Sequence, residues 1–158
     1  MKHIAFIAAA AILIIDQITK ALALKFLSAG SVAVLPFFNF VLVWNRGVSF
    51  GMFSGDSDYG PLALTILSLC IIGCLVVWLT RLTDKWLFLA VCCIIAGALG
   101  NVIDRVRFGA VVDFLDFHAF GWHYPAFNVA DCAVVLGIAF ILFDSIFLEP
   151  KRNSTAAS

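Results

Sequence analysis

The sequence predicts an all-α integral membrane protein with four transmembrane helices, plus a small β-sheet and an interfacial aromatic loop on one side of the membrane. Of the 158 residues, 63% are hydrophobic and 13% are charged, whereas a soluble domain carries about 25% charged residues. The mean hydropathy is +1.08. Four apolar segments are each close to the ~20 residues that a helix needs to cross a bilayer. Their long, continuous apolar runs indicate helices rather than the alternating strands of a β-barrel.

The predicted spans cover residues 4–24, 62–80, 86–106 and 127–148. The first resembles a signal peptide, because a basic start precedes an apolar stretch. However, Asp16 and Lys20 interrupt that stretch before a convincing cleavage site, so we expect an uncleaved first span. We predict one membrane-embedded domain over residues 1–150 and a disordered tail over residues 151–158, which are polar.

The connections between the predicted spans differ in length. Spans two and three are joined by a tight turn at residues 81–85, whereas residues 25–60 and 107–126 form long connections. With four spans, both long connections lie on one side of the membrane and both termini lie on the other. Residues 32–45 are rich in β-formers and predict a small sheet. Residues 111–127 are aromatic and predict a loop at the membrane interface, where such rings are favoured.

Lysine and arginine residues near the span ends bear on the orientation. The two predicted membrane sides carry five such residues each. Lys20 and Arg105 lie beside carboxylates at span ends, so we discount them as locally paired charges. The remaining balance of five against three favours cytoplasmic termini.

Polar residues in three of the spans fall near the side of the long connections: Asp16, Asn101, Asp104, Asn128 and Asp131. Within each span they are spaced so that they share one helix face, and polar stripes in lipid turn inward towards partners. Gly97 and Gly100 allow close approach of neighbouring helices. Asp113 lies in the connection after the third span, near the same membrane face.

Two interpretations of these polar residues remain open. Asp16 with Lys20, and Asp104 with Arg105, are candidates for structural ion pairs, and the asparagines are candidates for interhelical hydrogen bonds. Asp113 and Asp131 have no basic partner within one helical turn, which favours a role in handling protons. Asp116 and Asp144 belong to no motif, and we expect them to be exposed or interfacial.

The residue types narrow the possible chemistry. No serine–lysine or serine–histidine constellation stands out, and no HExxH motif is present, which disfavours a zinc peptidase. The five cysteines lie in apolar runs, where cysteine behaves as a small hydrophobe. The net charge of zero provides no basic footprint for nucleic acid. What remains is a pair of aspartates that share a proton and hydrolyse a peptide bond by acid–base catalysis.

The alternative function is a small proton-coupled membrane transporter that uses Asp16, Asp104 and Asp131 as a relay. A relay needs polar groups through the depth of the membrane. Here the carboxylates gather at one end of the spans, which favours a hydrolase that faces the membrane surface.

Five motifs resemble those of bacterial lipoprotein signal peptidases (signal peptidase II). They are DQITK at 16–20, NRGVSFG at 45–51, GALGNVIDR at 97–105, VVDF at 111–114 and FNVAD at 127–131. They occur in the family's order, and the four-span layout also matches. The resemblance therefore covers nearly the whole chain.

The resemblance implies an intramembrane aspartic endopeptidase that removes the signal peptide from diacylglyceryl-modified prolipoproteins, cutting just before the lipidated cysteine. It implies no metal or other cofactor. It also implies a bacterial cytoplasmic (inner) membrane protein with cytoplasmic termini, whose active site and small sheet lie near the outer (periplasmic) face. The expected partners are prolipoprotein substrates, membrane lipid and a globomycin-type inhibitor.

The motifs also imply residue roles. Asp113 and Asp131 match the catalytic aspartates. The residues implied to support the site are Asp16, Asn45, Asn101, Asp104, Arg105 and Asn128. Lys20, Gly51 and Ala130 are implied to contact substrate. We further expect the aromatic loop, residues 111–127, to move as a lid over the bound substrate.

Overall fold

The computed structural model describes residues 2–47 and 59–149. Its helices are α1 (Lys2–Phe26), α2 (Tyr59–Arg81), α3 (Lys85–Phe108) and α4 (Val129–Phe143), and α4 continues into a π-helical turn, Asp144–Leu148. Within the described residues, four helices are long and apolar enough to cross a membrane. The four predicted spans are therefore confirmed. The predicted tail, residues 151–158, lies outside the described residues.

Local signals set the limits of α3. The side chain of Asp84 accepts hydrogen bonds from the backbone N–H groups of Trp86 (2.8 Å) and Leu87 (3.0 Å), which caps the first turn. Gly109 ends the helix with a φ of 68°, and its N–H donates to the carbonyl of Arg105. This left-handed C-terminal cap favours glycine. The cap directs the chain into the sheet at the same end of the bundle.

The sheet is antiparallel and has four strands in the order β1 (Val32–Leu35), β2 (Phe38–Asn45), β3 (Val111–Ala119) and β4 (Trp122–His123). Strands β1 and β2 follow α1, while β3 and β4 connect α3 to α4. The sheet therefore lies at the end of the bundle where α1 and α3 finish and α4 begins. The sheet predicted from residues 32–45 is confirmed.

Residues 111–127 do not form the predicted aromatic loop. Most of them form β3 and β4, and the carbonyl of Phe127 accepts from the N–H of Leu115 (2.9 Å). Aromatic and β-branched residues favour strands as well as membrane interfaces, and pairing with β2 decides between the two. The segment expected to move as a lid against the sheet is thus part of that sheet, with β3 between β2 and β4.

Helix α3 is central and packs against the other three helices. Glycines set the distances between them: a Cβ at Gly100 would lie 2.6 Å from Oδ2 of Asp16, and one at Gly97 would collide with the carbonyl oxygen of Ala130. The close approach predicted at these two glycines is confirmed. It brings the polar faces of α1, α3 and α4 together.

Candidate active site

A buried ion-paired cluster, formed by Asp16, Lys20 and Asp104, joins α1 to α3. The Nζ atom of Lys20 lies 2.9 Å from Oδ2 of Asp16 and 2.9 Å from Oδ2 of Asp104, and it donates to Oδ1 of Asn101 at 3.0 Å. An ammonium group has three donors, so all three are engaged. Lys20 is 2% exposed. Its contact with substrate stays a prediction, and the structure encloses this side chain within the protein.

The two carboxylates of this cluster also bind the backbone of neighbouring elements. Oδ1 of Asp16 accepts from the N–H of Ala130 (2.9 Å) in the first turn of α4. Oδ2 of Asp104 accepts from the N–H of Val112 (3.1 Å) at the start of β3. The ion-pair interpretation therefore holds for Asp16 with Lys20, whereas the recorded ion-pair partner of Asp104 is Lys20 on α1 rather than its neighbour in sequence.

Asn101 connects this cluster to Asp131. Its Oδ1 accepts from Lys20 and from Nδ2 of Asn128 (3.2 Å), and its own Nδ2 donates to Oδ1 of Asp131 at 2.8 Å. The direction of the amide follows from these partners, because an ammonium requires an acceptor and a carboxylate favours a donor. Asn101 thus orients one oxygen of Asp131.

Asn128 binds both predicted catalytic aspartates. It caps the N-terminus of α4: its Oδ1 accepts from the N–H of Asp131 (2.9 Å), and its own N–H donates to Oδ2 of Asp131 (3.2 Å). This reciprocal arrangement is a capping box. The Nδ2 of Asn128 donates to Oδ1 of Asp113 at 2.7 Å. Asn128 is fully buried, so it holds the two carboxylates in a fixed relation.

Asp113 lies on β3 and is 1% exposed. Its second oxygen, Oδ2, accepts from Nδ2 of Asn45 at 2.9 Å. Asn45 lies on β2, two residues from Val43, which is directly opposite Asp113. Diagonal neighbours on one face of a sheet are within reach of each other's side chains. The strand pairing therefore supplies a donor that helix periodicity could not reveal.

The surroundings of Asp113 favour its protonated form. The pKa of Asp113 is raised to about 6, mainly by burial and also by the negative charge of Asp131. The hydrogen bonds from Asn45 and Asn128 and the positive charge of Lys20 lower the pKa but do not offset burial. Each of the four oxygens in the two carboxylates accepts one amide hydrogen bond. A carboxylate oxygen has a second lone pair, which is available for water or substrate.

The remaining predicted residues differ in their placement. Arg105 lies in the last turn of α3, and its Nε is buried without a hydrogen-bond partner among the described residues. Ala130 is 0% exposed, and its substrate contact stays a prediction. Gly51 lies outside the described residues. Within residues 2–47 and 59–149, no group of three or more His, Cys, Asp or Glu side chains is placed to hold a metal ion.

The sequence interpretation missed the half-buried Gln17 and the burial of two aspartates. The Nε2 of Gln17 donates to Oδ2 of Asp16 (3.1 Å) and to Oδ1 of Asp104 (3.3 Å), and its place in the DQITK motif was the available signal. Asp116 and Asp144 are 5% and 2% exposed. They were expected to be exposed or interfacial; exposure is wrong for both, and Asn39, distant in sequence, is one of the contacts of Asp116.

Comparison with known proteins gives a consistent assignment. The sequence model of the family described as signal peptidase (SPase) II matches residues 8–147. The chain is 44% identical over 148 residues to the lipoprotein signal peptidase of Methylobacterium radiotolerans, covering 89% of this chain and 84% of that protein. It is 47% identical over 136 residues to that of Thermodesulfovibrio yellowstonii, covering 85% and 89%. A solved bacterial membrane enzyme with 31% identity superposes with a TM-score of 0.79, covering 93% and 92% of the two chains. The chain belongs to the signal peptidase II family.

Proposed function

We propose that this protein is an intramembrane aspartic endopeptidase that removes signal peptides from diacylglyceryl-modified prolipoproteins, cutting just before the lipidated cysteine. The observation that carries the proposal is the binding of Asp113 and Asp131 to one buried residue, Asn128. The names of the similar proteins, lipoprotein signal peptidases, support the substrate class. Family membership leaves the proton-coupled transporter without support.

The catalytic step follows from one proton shared by the two carboxylates. Asp113, whose pKa is raised to about 6, holds that proton, while Asp131 is ionised. Asp131 removes a proton from a water molecule as the water oxygen attacks the scissile carbonyl carbon. Asp113 donates its proton to the carbonyl oxygen, which gives a neutral tetrahedral diol. Asp131 then protonates the leaving nitrogen as the C–N bond breaks, and Asp113 recovers a proton from the diol.

A lipidated substrate must be cut at the membrane, because each buried methylene of its acyl chains contributes about 0.8 kcal/mol to membrane binding. The dyad lies at the end of the bundle beside the sheet, which suits a scissile bond at the interface. Arg105 keeps its predicted role in supporting the site. Gly51 keeps its predicted role in substrate contact. A globomycin-type inhibitor would occupy the same site.

The direct test is cleavage of a lipidated prolipoprotein by purified wild type, Asp113→Asn and Asp131→Asn. We expect each variant to lose activity by about 100- to 10,000-fold, the range typical of a lost acid or base. Both should remain folded, and Glu149→Gln, an exposed carboxylate, is the control that should cleave normally. Activity should persist with a metal chelator. Cleavage at the wild-type rate by either dyad variant would exclude the mechanism.

We also propose that the protein lies in the bacterial cytoplasmic membrane with cytoplasmic termini and with the sheet at the outer face. Single cysteines at Ser28 and Thr83, both exposed and at opposite ends of the bundle, test this in a variant that lacks the native cysteines. A membrane-impermeant maleimide should label Ser28→Cys in intact cells whose outer membrane has been permeabilised, and should spare Thr83→Cys. The opposite pattern would reverse the orientation.

A further inference from the structure

A second buried carboxylate, Asp116, lies three residues beyond Asp113 on β3 and takes no part in the proposed chemistry. Nδ2 of Asn39, on β2, donates to its Oδ2 at 3.0 Å. Nδ1 of His123, on β4, lies 2.9 Å from Oδ1 and 3.0 Å from Oδ2. Asn39 is directly opposite Asp116 in the sheet. One side chain therefore links β3 to the strands on both sides.

The partners of Asp116 and of Asp113 come from the same two segments. Asp113 is held by Asn45 of β2 and by Asn128, which follows β4. Asn39 and Asn45 lie near the two ends of β2. His123 precedes Asn128 by five residues. The contacts at Asp116 therefore fix the two segments that deliver the hydrogen-bond donors of the dyad.

Backbone hydrogen bonds hold the segment after β3 at only a few positions. Strand β4 has only two residues, and Pro125, between His123 and Phe127, has no N–H to donate. Three backbone groups beyond β4 bind β3: the N–H of Tyr124, the N–H of Phe127 and the carbonyl of Phe127. A slip of one residue would displace Asn128 by about 3.3 Å, which would break its 2.7 Å bond to Asp113.

Strand β2 has a corresponding weakness. Its register with β3 shifts between Phe40 and Val43, and such an irregularity allows the strand to bend. Asn39 anchors β2 on one side of the shift, whereas Asn45 binds Asp113 on the other side. The bond from Asn39 therefore limits how far the bulged strand can move relative to the dyad.

The charged state of Asp116 strengthens both contacts. Burial acts to raise the pKa of Asp116, but the hydrogen bonds from His123 and Asn39, together with electrostatic attraction to His123 and His118, lower the pKa below its ordinary value. The other titratable group facing this carboxylate is His118, whose ring stacks on that of His123 with centroids 4.9 Å apart. An ionised acceptor forms shorter and stronger hydrogen bonds than a neutral one.

We propose that Asp116 is a positioning residue for the catalytic dyad, which holds β2 and the β4 segment in the register that places Asn45 and Asn128 on Asp113. The inference rests on the proposed function. Asp116 touches neither the reacting water nor the scissile bond in this scheme. It acts through the two asparagines.

The experiment measures kcat and KM for lipidated prolipoprotein with Asp116→Asn, His123→Leu and His123→Gln. We expect Asp116→Asn and His123→Leu to lower kcat by about 10- to 100-fold with little change in KM, because a displacement of about 1 Å at a reacting group can cost about 100-fold. Glutamine retains an N–H donor, so His123→Gln should stay close to wild type. His3→Leu, on an exposed histidine at the far end of α1, is the matched control.

A double-mutant cycle separates positioning from a general loss of stability. In the Asn128→Ala background the donor is already absent, so Asp116→Asn should cost kcat much less than it does in wild type. If Asp116→Asn does not fold, His123→Leu replaces it in the cycle, because that side chain is 56% exposed. Unchanged kcat in Asp116→Asn and His123→Leu, or an additive double mutant, would overturn the inference. Wild type that does not cleave the substrate would overturn the proposed function instead.

Discussion

Two groups of carboxylates lie within one hydrogen-bond network, yet their partners differ. The ion-paired cluster of Asp16 and Asp104 shares the ammonium of Lys20. The dyad of Asp113 and Asp131 is held by asparagine side-chain amides and one backbone N–H. Within the described residues, the recorded ion pairs of Lys20 go to the first group and none goes to the dyad.

The difference separates binding a carboxylate from neutralising it. A cation in direct contact stabilises the ionised form, so the carboxylates of the ion-paired cluster remain fixed acceptors that hold α4 and β3 in place. Amides orient a carboxylate while leaving its charge uncompensated, and burial then favours the protonated form. The pKa of about 6 at Asp113 is the consequence. The ion-paired cluster therefore supports the structure, while the neighbouring dyad is suited to proton transfer within the same network.

The largest effect is expected from Lys20→Met. Removing the ammonium leaves Asp16 and Asp104 buried without their cation, and breaking a buried ion pair in this way costs about 3–5 kcal/mol. The free energy of unfolding, measured in detergent by circular dichroism, should fall by that amount. Asp113→Asn is the matched variant of the dyad. Its free energy of unfolding should not fall comparably, because the substitution removes a buried charge that lacks a contacting cation.

The sign of that contrast depends on pH. A carboxyl whose pKa is higher in the folded protein than in the unfolded chain binds its proton more tightly when the protein is folded. The contribution of Asp113 to stability is therefore lost as the pH rises from the ordinary pKa of an aspartate to about 6. Above that range Asp113→Asn should therefore gain stability relative to wild type. Equal losses for Lys20→Met and Asp113→Asn at pH 8 would remove the distinction between the two groups.

The next effect is expected at Asn128, whose two functions can be separated. Asn128→Ala should lower kcat by about 100-fold, through misplacement of both carboxylates, and lower stability by about 1 kcal/mol through loss of the cap. Asn128→Ser retains a helix cap but is too short to reach Asp113 as the amide does. Serine should recover the stability and leave kcat low. Recovery of kcat by serine would show that capping alone is what the dyad requires.

A smaller effect is expected in the pH profile. If Asp113 must be protonated, kcat/KM of wild type falls about tenfold per pH unit above its free-enzyme pKa of about 6. The hydrogen bond from Asn45 lowers that pKa, so Asn45→Ala should move the alkaline limb to higher pH. Asp104→Asn, in the ion-paired cluster, is the comparison whose effect should fall mainly on stability. A limb that moves to lower pH in Asn45→Ala would contradict the assigned role of the amide.

Helical periodicity predicted much of this arrangement. The spacing of Asp16, Asn101, Asp104 and Asn128 predicted that these residues lie on inward helix faces near one end of the spans, and the structure brings them together at one end of the bundle. What spacing could not predict were the partners across the sheet. Asn45 reaches Asp113 from 68 residues away, and only the register of β2 with β3 brings the two together. The family motif, not periodicity, identified Asn45 as a site residue.

Partners that are distant in sequence also explain what the sequence interpretation missed. Asp116 belongs to no motif and was expected to be exposed or interfacial, but β2 supplies Asn39 from 77 residues away. The motif implied that Lys20 contacts substrate, and periodicity did not indicate that its ammonium pairs with carboxylates on two different helices. Local sequence indicates which face of a helix is polar. It does not indicate whether a polar side chain on that face meets substrate or another buried charge.

The smallest effect on stability is expected at Gly100, which leaves room for the side chain of Asp16 in the ion-paired cluster. A Cβ at Gly100 would lie 2.6 Å from Oδ2 of Asp16 and 3.3 Å from Cβ of Ala130, so Gly100→Ala should displace that carboxylate and cost about 1 kcal/mol through overpacking. Gly73→Ala on α2, where a Cβ meets nothing within 4 Å, is the matched control and should be neutral or stabilising, since alanine favours helix. Because Gly100 faces the ion-paired cluster and not the dyad, the pH at which kcat/KM falls should stay unchanged in Gly100→Ala. A shifted pH profile would show that the two groups of carboxylates are coupled more tightly than their separate partners indicate.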